Sequence, residues 1–145
     1  MRERAIDYQS INQKADRGFQ LEAPSLERLY IDSALAMTDQ QVKLTTIQGG
    51  ERFEVLVESN TREELLALWL NEILQLFENN KFLPRQIYFS QFNGTKIKAT
   101  LMGETYNPIK HGHITKLKSI LPENLKLGTL NQGDNIFFAQ VLLDK

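Results

Sequence analysis

The chain has no cysteine among its 145 residues, which excludes disulfides, thiolate metal sites and cysteine nucleophiles. It also lacks an excess of either charge: 17 Lys and Arg stand against 18 Asp and Glu, for a net charge of −1. Nucleic-acid binding as a main activity calls for a basic patch or stripe, and the bulk balance argues against it. Long apolar runs are missing too. The longest, Leu65 to Leu70, falls far short of the roughly 18 residues of a membrane span. The opening MRERAIDYQS lacks the apolar centre of a signal peptide. No Gly-rich phosphate loop is present, and Ser, His and acidic residues do not fall at a triad spacing. Internal repeats, low-complexity tracts and linkers are likewise absent. With 41% apolar and 24% charged residues, the expectation is one soluble, cytoplasmic domain over residues 1–145.

What the chain does have is one strongly apolar helical stretch, Thr61 to Asn79 (TREELLALWLNEILQLFEN). Thr61 followed three residues later by Glu64 is a capping box, each side chain satisfying an unpaired backbone N–H of the first turn. Leu65, Leu66, Trp69, Ile73, Leu76 and Phe77 recur at helical spacing, and Leu68, Leu70 and Leu74 widen the stripe. Only Glu63, Glu64, Glu72, Gln75 and Glu78 keep a wet face. A helix this apolar needs a large partner surface. Trp69 lies on the stripe and is expected in the core.

Elsewhere the pattern alternates. Ile6 and Tyr8 point to a short strand, Asn12 to Gly18 to a polar loop, and Phe19 and Leu21 to a half-buried strand ended by Pro24. Ser25 then caps a helix carrying Leu26, Leu29, Tyr30, Ala34 and Met37, ending near Thr38. Val42 to Ile47 and Arg52 to Glu58 read as strands joined by a hairpin at Gly49-Gly50. Pro84 marks a loop, and Ile87 to Phe92 and Lys96 to Met102 form a hairpin turning at Asn93-Gly94. Gly103 to Gly112 reads as a loop, with further strands at His113 to Ile120 and Leu125 to Leu130. Ile136 to Leu143, apolar on both parities apart from Gln140, predicts a central strand buried on both faces. The fold class is therefore α+β: a mostly antiparallel sheet of about seven strands with two helices packed on one face.

Several phrases in order resemble the archease family. They are Lys14-Ala15-Asp16-Arg17-Gly18-Phe19 with a helix ending Ala34-Leu35-Ala36-Met37, and Glu63-Glu64-Leu65-Leu66 through Trp69-Leu70-Asn71-Glu72 to Leu76-Phe77. Next come Gly103-Glu104 with Tyr106, Pro108, Lys110 and His111, then Thr115 through Lys118, and the final Val141-Leu142-Leu143-Asp144. The resemblance runs from about Asn12 to the end. It implies a small α+β protein that is not itself an enzyme. Such a protein is an accessory to the GTP-dependent RNA ligase of tRNA splicing, promoting its guanylylation and repeated turnover. It also implies a divalent cation held near the N-terminal aspartate and the end of the chain.

On that footing Asp16 and Asp144 are the expected metal ligands, with the terminal carboxylate of Lys145 as a third. Hard oxygen ligands suit Ca²⁺ first, with Mg²⁺ or Mn²⁺ as alternatives. The plainer alternative is that Asp16 supports a turn and Asp144 is a solvated strand end. Lys118 aligns with a lysine the family uses, and His111 with the family's loop histidine. A lone exposed lysine also serves solubility, and His111 with His113 reads either as a ligand pair on a strand or as loop histidines. The family commonly has Asp-His-Thr where this chain has Asn12, Gln13 and Lys14, and an aromatic and a histidine where it has Leu121 and Pro122. Two further functions stay open: a metal-assisted phosphoester hydrolase using the same carboxylates with His111 as acid or base, and a metal-free interaction module.

Overall fold

The computed structural model describes residues 8–12, 17–131 and 135–143. Its elements follow in the order β1 (Gln9–Asn12), β2 (Arg17–Ala23), α1 (Leu26–Gln41), β3 (Glu51–Glu58), α2 (Arg62–Asn80), β4 (Phe82–Phe92), β5 (Lys96–Thr105), the short helix α3 (Pro108–His111), β6 (Leu125–Asn131) and β7 (Asn135–Leu143). Every strand pair among the described residues is antiparallel. The expected class is borne out: an α+β chain with seven mostly antiparallel strands.

The strands divide into two sheets, ordered β1-β2-β7-β6 and β3-β5-β4. Both long helices lie between them. α1 packs on β2 and β7 of the first sheet and on β4 of the second, while α2 packs on β3, β4 and β5 and also on β6. Each sheet thus carries helices on one face, and the same two helices serve both. That explains why α2 is apolar over so much of its circumference: Leu65, Leu66, Ala67, Trp69, Leu70, Ile73, Leu74 and Phe77 are all buried. The Thr61 hydroxyl accepts from the Glu64 N–H at 3.1 Å, as the capping signal predicts. Ser25 caps α1 in the same way, accepting from the Arg28 N–H at 3.1 Å.

Four expectations are corrected. Val42 to Ile47 is not a strand and forms no hairpin with β3; residues Leu44–Thr46 make a 3₁₀ turn. Local side-chain bonds take the backbone groups a ladder would use: Asp39 accepts from the Leu44 N–H at 2.8 Å, and the Thr46 hydroxyl donates to Lys43 O at 2.6 Å. Pro84 lies within β4 and not in a loop. β4 is an edge strand with a register shift between Pro84 and Gln86, where a missing N–H costs no ladder bond. Opposite Pro84, Gly103 lets the strands close up, since a Cβ there would stand 1.9 Å from Leu83 O.

His113 to Ile120 is not a strand either. Asn71 of α2 supplies both bonds a neighbouring strand would have offered: its amide donates to Ile120 O at 2.8 Å, and its carbonyl accepts from Ile120 N–H at 2.7 Å. β7 is central, as expected, but not buried on both faces. Ala139, Val141 and Leu143 are buried against the helices, whereas Ile136, Phe138, Gln140 and Leu142 are only half-buried on the far side. Within the 103–112 stretch, β5 runs on to Thr105 and α3 follows. The proposed strand residue Ile6 lies outside the described residues.

Replacing Asn71 by Ala strands a donor and an acceptor of Ile120. We expect a loss of about 2 kcal/mol in urea unfolding and faster proteolytic nicking within residues 112–121. Nicking at the wild-type rate would show that the clamp does not hold this segment.

Candidate functional site

Two features converge where β2 meets β7. Their register sets Arg17 opposite Leu143 and Gly18 opposite Leu142, and a Cβ on Gly18 would stand 1.9 Å from Val141 O. Glycine is needed there because the two backbones approach too closely for a side chain. Arg17 directly follows Asp16 in sequence, and Leu143 directly precedes Asp144. The expected ligands Asp16, Asp144 and Lys145 themselves lie outside the described residues.

The end of α1 braces this corner. The Gln40 carboxamide donates to Ser10 Oγ and to Gly18 O, each at 3.2 Å, joining β1 and β2 on either side of residues 13–16. The Tyr8 hydroxyl donates to the Asp39 carboxylate at 2.6 Å, whose other oxygen takes the Leu44 N–H. Burial first, and then the Asp39 carboxylate beside it, raise the Tyr8 phenol well above the usual tyrosine range. It is therefore a fixed donor at any ordinary pH. In sequence, Asp39 and Gln40 look like polar residues at a helix end, and no periodicity marks them.

The second cluster surrounds Glu104. One carboxylate oxygen accepts from Lys110 Nζ at 2.8 Å; the other accepts from the Gln48 N–H and from His111 Nε2, both at 2.8 Å. His111 Nδ1 accepts from the Asn107 N–H at 2.9 Å, which places the ring hydrogen on Nε2, facing Glu104. His111 is buried, stacks on Tyr106 with centroids 5.9 Å apart, and the Tyr106 hydroxyl donates to Gly112 O at 2.6 Å. His111 is thus a tie that closes the loop after β5. Both its nitrogens are engaged and neither is offered to a substrate.

Lys118 is exposed on an irregular segment and not on the expected strand, and His113 is exposed nearby. The two histidines do not share a site. Among the described residues, no three His, Asp or Glu side chains stand close enough to hold a metal ion. No described helix is long and apolar enough to cross a membrane.

A two-sheet α+β chain enclosing a helix pair, with its early and final strands brought side by side, is the class this architecture defines. Residues 8–144 match the Archease protein family, and the chain belongs to that family. It is 29% identical over 141 residues to a protein archease of Methanosarcina mazei, covering 94% of each chain. A protein archease of Pyrobaculum islandicum is 30% identical over 142 residues, covering 96% of this chain and 95% of that one. In fold the chain is similar to the solution structure of protein 1598 from Methanobacterium thermoautotrophicum, with a TM-score of 0.73 and 23% identity over 95% of this chain and 98% of that one. A crystal structure from Thermotoga maritima, described as an archease and possible chaperone, matches with a TM-score of 0.60 and 18% identity. That match covers 100% of this chain and 98% of the other.

Partial burial pushes the Glu104 carboxyl up, but hydrogen bonds from Lys110, His111 and the Gln48 N–H, with the Lys110 charge, outweigh it. The carboxyl is held down at about 2, against 4.5 for a free glutamate. Because the folded value lies below the unfolded one, the stabilisation is complete above about pH 4.5 and is lost as pH falls toward 2. Glu104→Gln should cost on the order of 1 to 2 kcal/mol at pH 7 and give a shallower fall of stability across that acid window. Parallel pH curves for variant and wild type in urea titrations would contradict it.

Proposed function

We propose that this chain is a non-catalytic accessory protein that stimulates guanylylation and turnover of a GTP-dependent tRNA-splicing RNA ligase. A divalent cation, Ca²⁺ first, would be held by Asp16, Asp144 and a backbone oxygen of Lys145. Supporting the accessory role is family membership, together with the description of the Thermotoga maritima structure as an archease and possible chaperone. The observation that carries the cation site is the β2–β7 register, with Arg17 opposite Leu143. Asp16 directly precedes Arg17 in sequence, and Asp144 directly follows Leu143. An all-oxygen donor set of this kind fits a hard cation.

When bound, the cation would supply positive charge that lets two carboxylates stand together. The chain's own residues do the rest. Gly18 permits the close approach of the strands, and Gln40 ties β1 to β2 across the segment that carries Asp16. Lys118, exposed and without an ion pair among the described residues, is left for contact with the ligase or its phosphates. The hydrolase reading loses ground because its proposed acid or base, His111, is committed to Asn107 and Glu104. A metal-free interaction module remains the second reading, favoured by the oxygen and nitrogen ligands lost at Asn12 and Gln13.

Asp16→Ala tests the assignment. Calorimetric Ca²⁺ titration should show affinity reduced at least about tenfold, and ligase guanylylation should fall toward its unstimulated rate, with urea stability little changed. Unaltered affinity would remove Asp16 from the site. Reduced affinity with full stimulation would separate the cation from the ligase role.

A further inference from the structure

The face of the first sheet that the helices leave open has a pattern of its own. Register places Gln9, Gln20 and Gln140 side by side across β1, β2 and β7, and Glu22, Phe138 and Gly128 side by side across β2, β7 and β6. Between these rows runs the pair Leu21 and Ala139, whose side chains are buried on the helix side, so that only backbone faces outward. The result is a cleft of about 580 Å³ bounded by Tyr8, Gln9, Gln20, Glu22, Leu130 and Phe138, within the size range of ligand sites.

Exposed Lys126 of β6 stands beside Gln140 at the far end of the first row, and Glu22 is the acidic group of the second. A Cβ on Gly128 would stand 2.4 Å from the Phe138 ring, so the ring is laid over the bare glycine and held in place. Gln20 Nε2 donates to Gln9 Oε1 at 2.7 Å, which orients the amides and leaves the Gln20 carbonyl oxygen as an acceptor. Glu22 is exposed and, among the described residues, has no ion pair or hydrogen bond. A carboxylate with no partner among the described residues, an oriented carbonyl and an aromatic ring together call for a planar, donor-rich cation.

We infer that this cleft receives an arginine side chain presented by a protein partner, its guanidinium between Glu22 and Phe138. Arginine is chosen over lysine because a planar fork can stack on the ring while donating to Glu22 and Gln20 together. A protein source is chosen over a free small molecule because further apolar side chains lie on this face beyond the cleft, one on each side of Phe138 and Gln140. Ile136 and Leu142 lie half-buried on the same face of β7, and an extended segment carrying the arginine would cover them. This inference goes beyond the ligase reading and needs neither the cation nor Asp16.

An acetylated and amidated Leu-Ser-Arg-Ser-Leu peptide, whose leucines share a face with the arginine when extended, tests it when titrated into the ¹⁵N-labelled full chain, with citrulline and lysine twins as controls. Saturable amide shifts centred on Gln20, Glu22 and Phe138 are expected, with the affinity reduced about fivefold to tenfold in Glu22→Gln. The citrulline twin should bind at least that much more weakly, and the lysine twin should fall between. Phe138→Leu keeps an apolar cover on Gly128 and should weaken the arginine peptide selectively. Equal binding of the citrulline twin, shifts elsewhere on the surface, or no shift up to about 10 mM peptide would each overturn the assignment.

Discussion

The buried indole of Trp69 is the contact on which the rest of the structure depends. It is fully enclosed, and its N–H donates at 2.9 Å to Tyr30 O of the other helix, so the two helices are joined by a hydrogen bond with no water to compete. The Tyr30 hydroxyl returns the link, donating to Arg62 O in the first turn of α2 at 2.6 Å. Phe89 meets the indole edge-on at 5.2 Å, and Phe92 meets Tyr30 edge-on at the same distance, so β4 closes over the junction. Opening it would strand a buried donor and leave a large cavity at once.

Because the helix pair is buried from two sides, it can position surface features on both sheets. The end of α1 reaches the β1–β2 hairpin through Asp39 and Gln40, while the middle of α2 reaches the loop before β6 through Asn71. Glu104 then closes the loop between them by collecting three donors from Gln48, Lys110 and His111. Nearly every polar group doing this work bonds a backbone atom or a neighbour distant in sequence. The segments that look irregular are therefore tied by side chains in place of a ladder.

Much of this architecture was legible beforehand because it rests on local physics. Ser25 and Thr61 cap helices through bonds to residues three positions on, and Asn93-Gly94 turns a hairpin through its own backbone preference. The errors fell where a distant partner decided. Val42 and Leu44 alternate like a strand, yet Asp39 takes the Leu44 N–H; His113 to Ile120 sets single apolar residues among polar ones, yet Asn71 takes both backbone groups of Ile120. Pro84 signals a loop until β4 is known to be an edge. In the candidate sites, Glu104, Lys110 and His111 were visible as a phrase, but the hydrogen bonds that commit His111 were not. The cleft beside Glu22 left no trace, since its residues come from β1, β2, β6 and β7.

The amino-acid sequence alone determined the helices, most of the strands, the α+β class and the likeness to archeases. Capping, turn geometry and hydrophobic period act within a few residues and need no knowledge of what lies opposite. Tertiary structure alone decided that the strands split into two sheets around a shared helix pair, and that β2 lies against β7. It also settled which polar side chains replace a missing strand. Those outcomes depend on which surfaces meet across tens of residues, where burial and pairing energies outweigh any local preference.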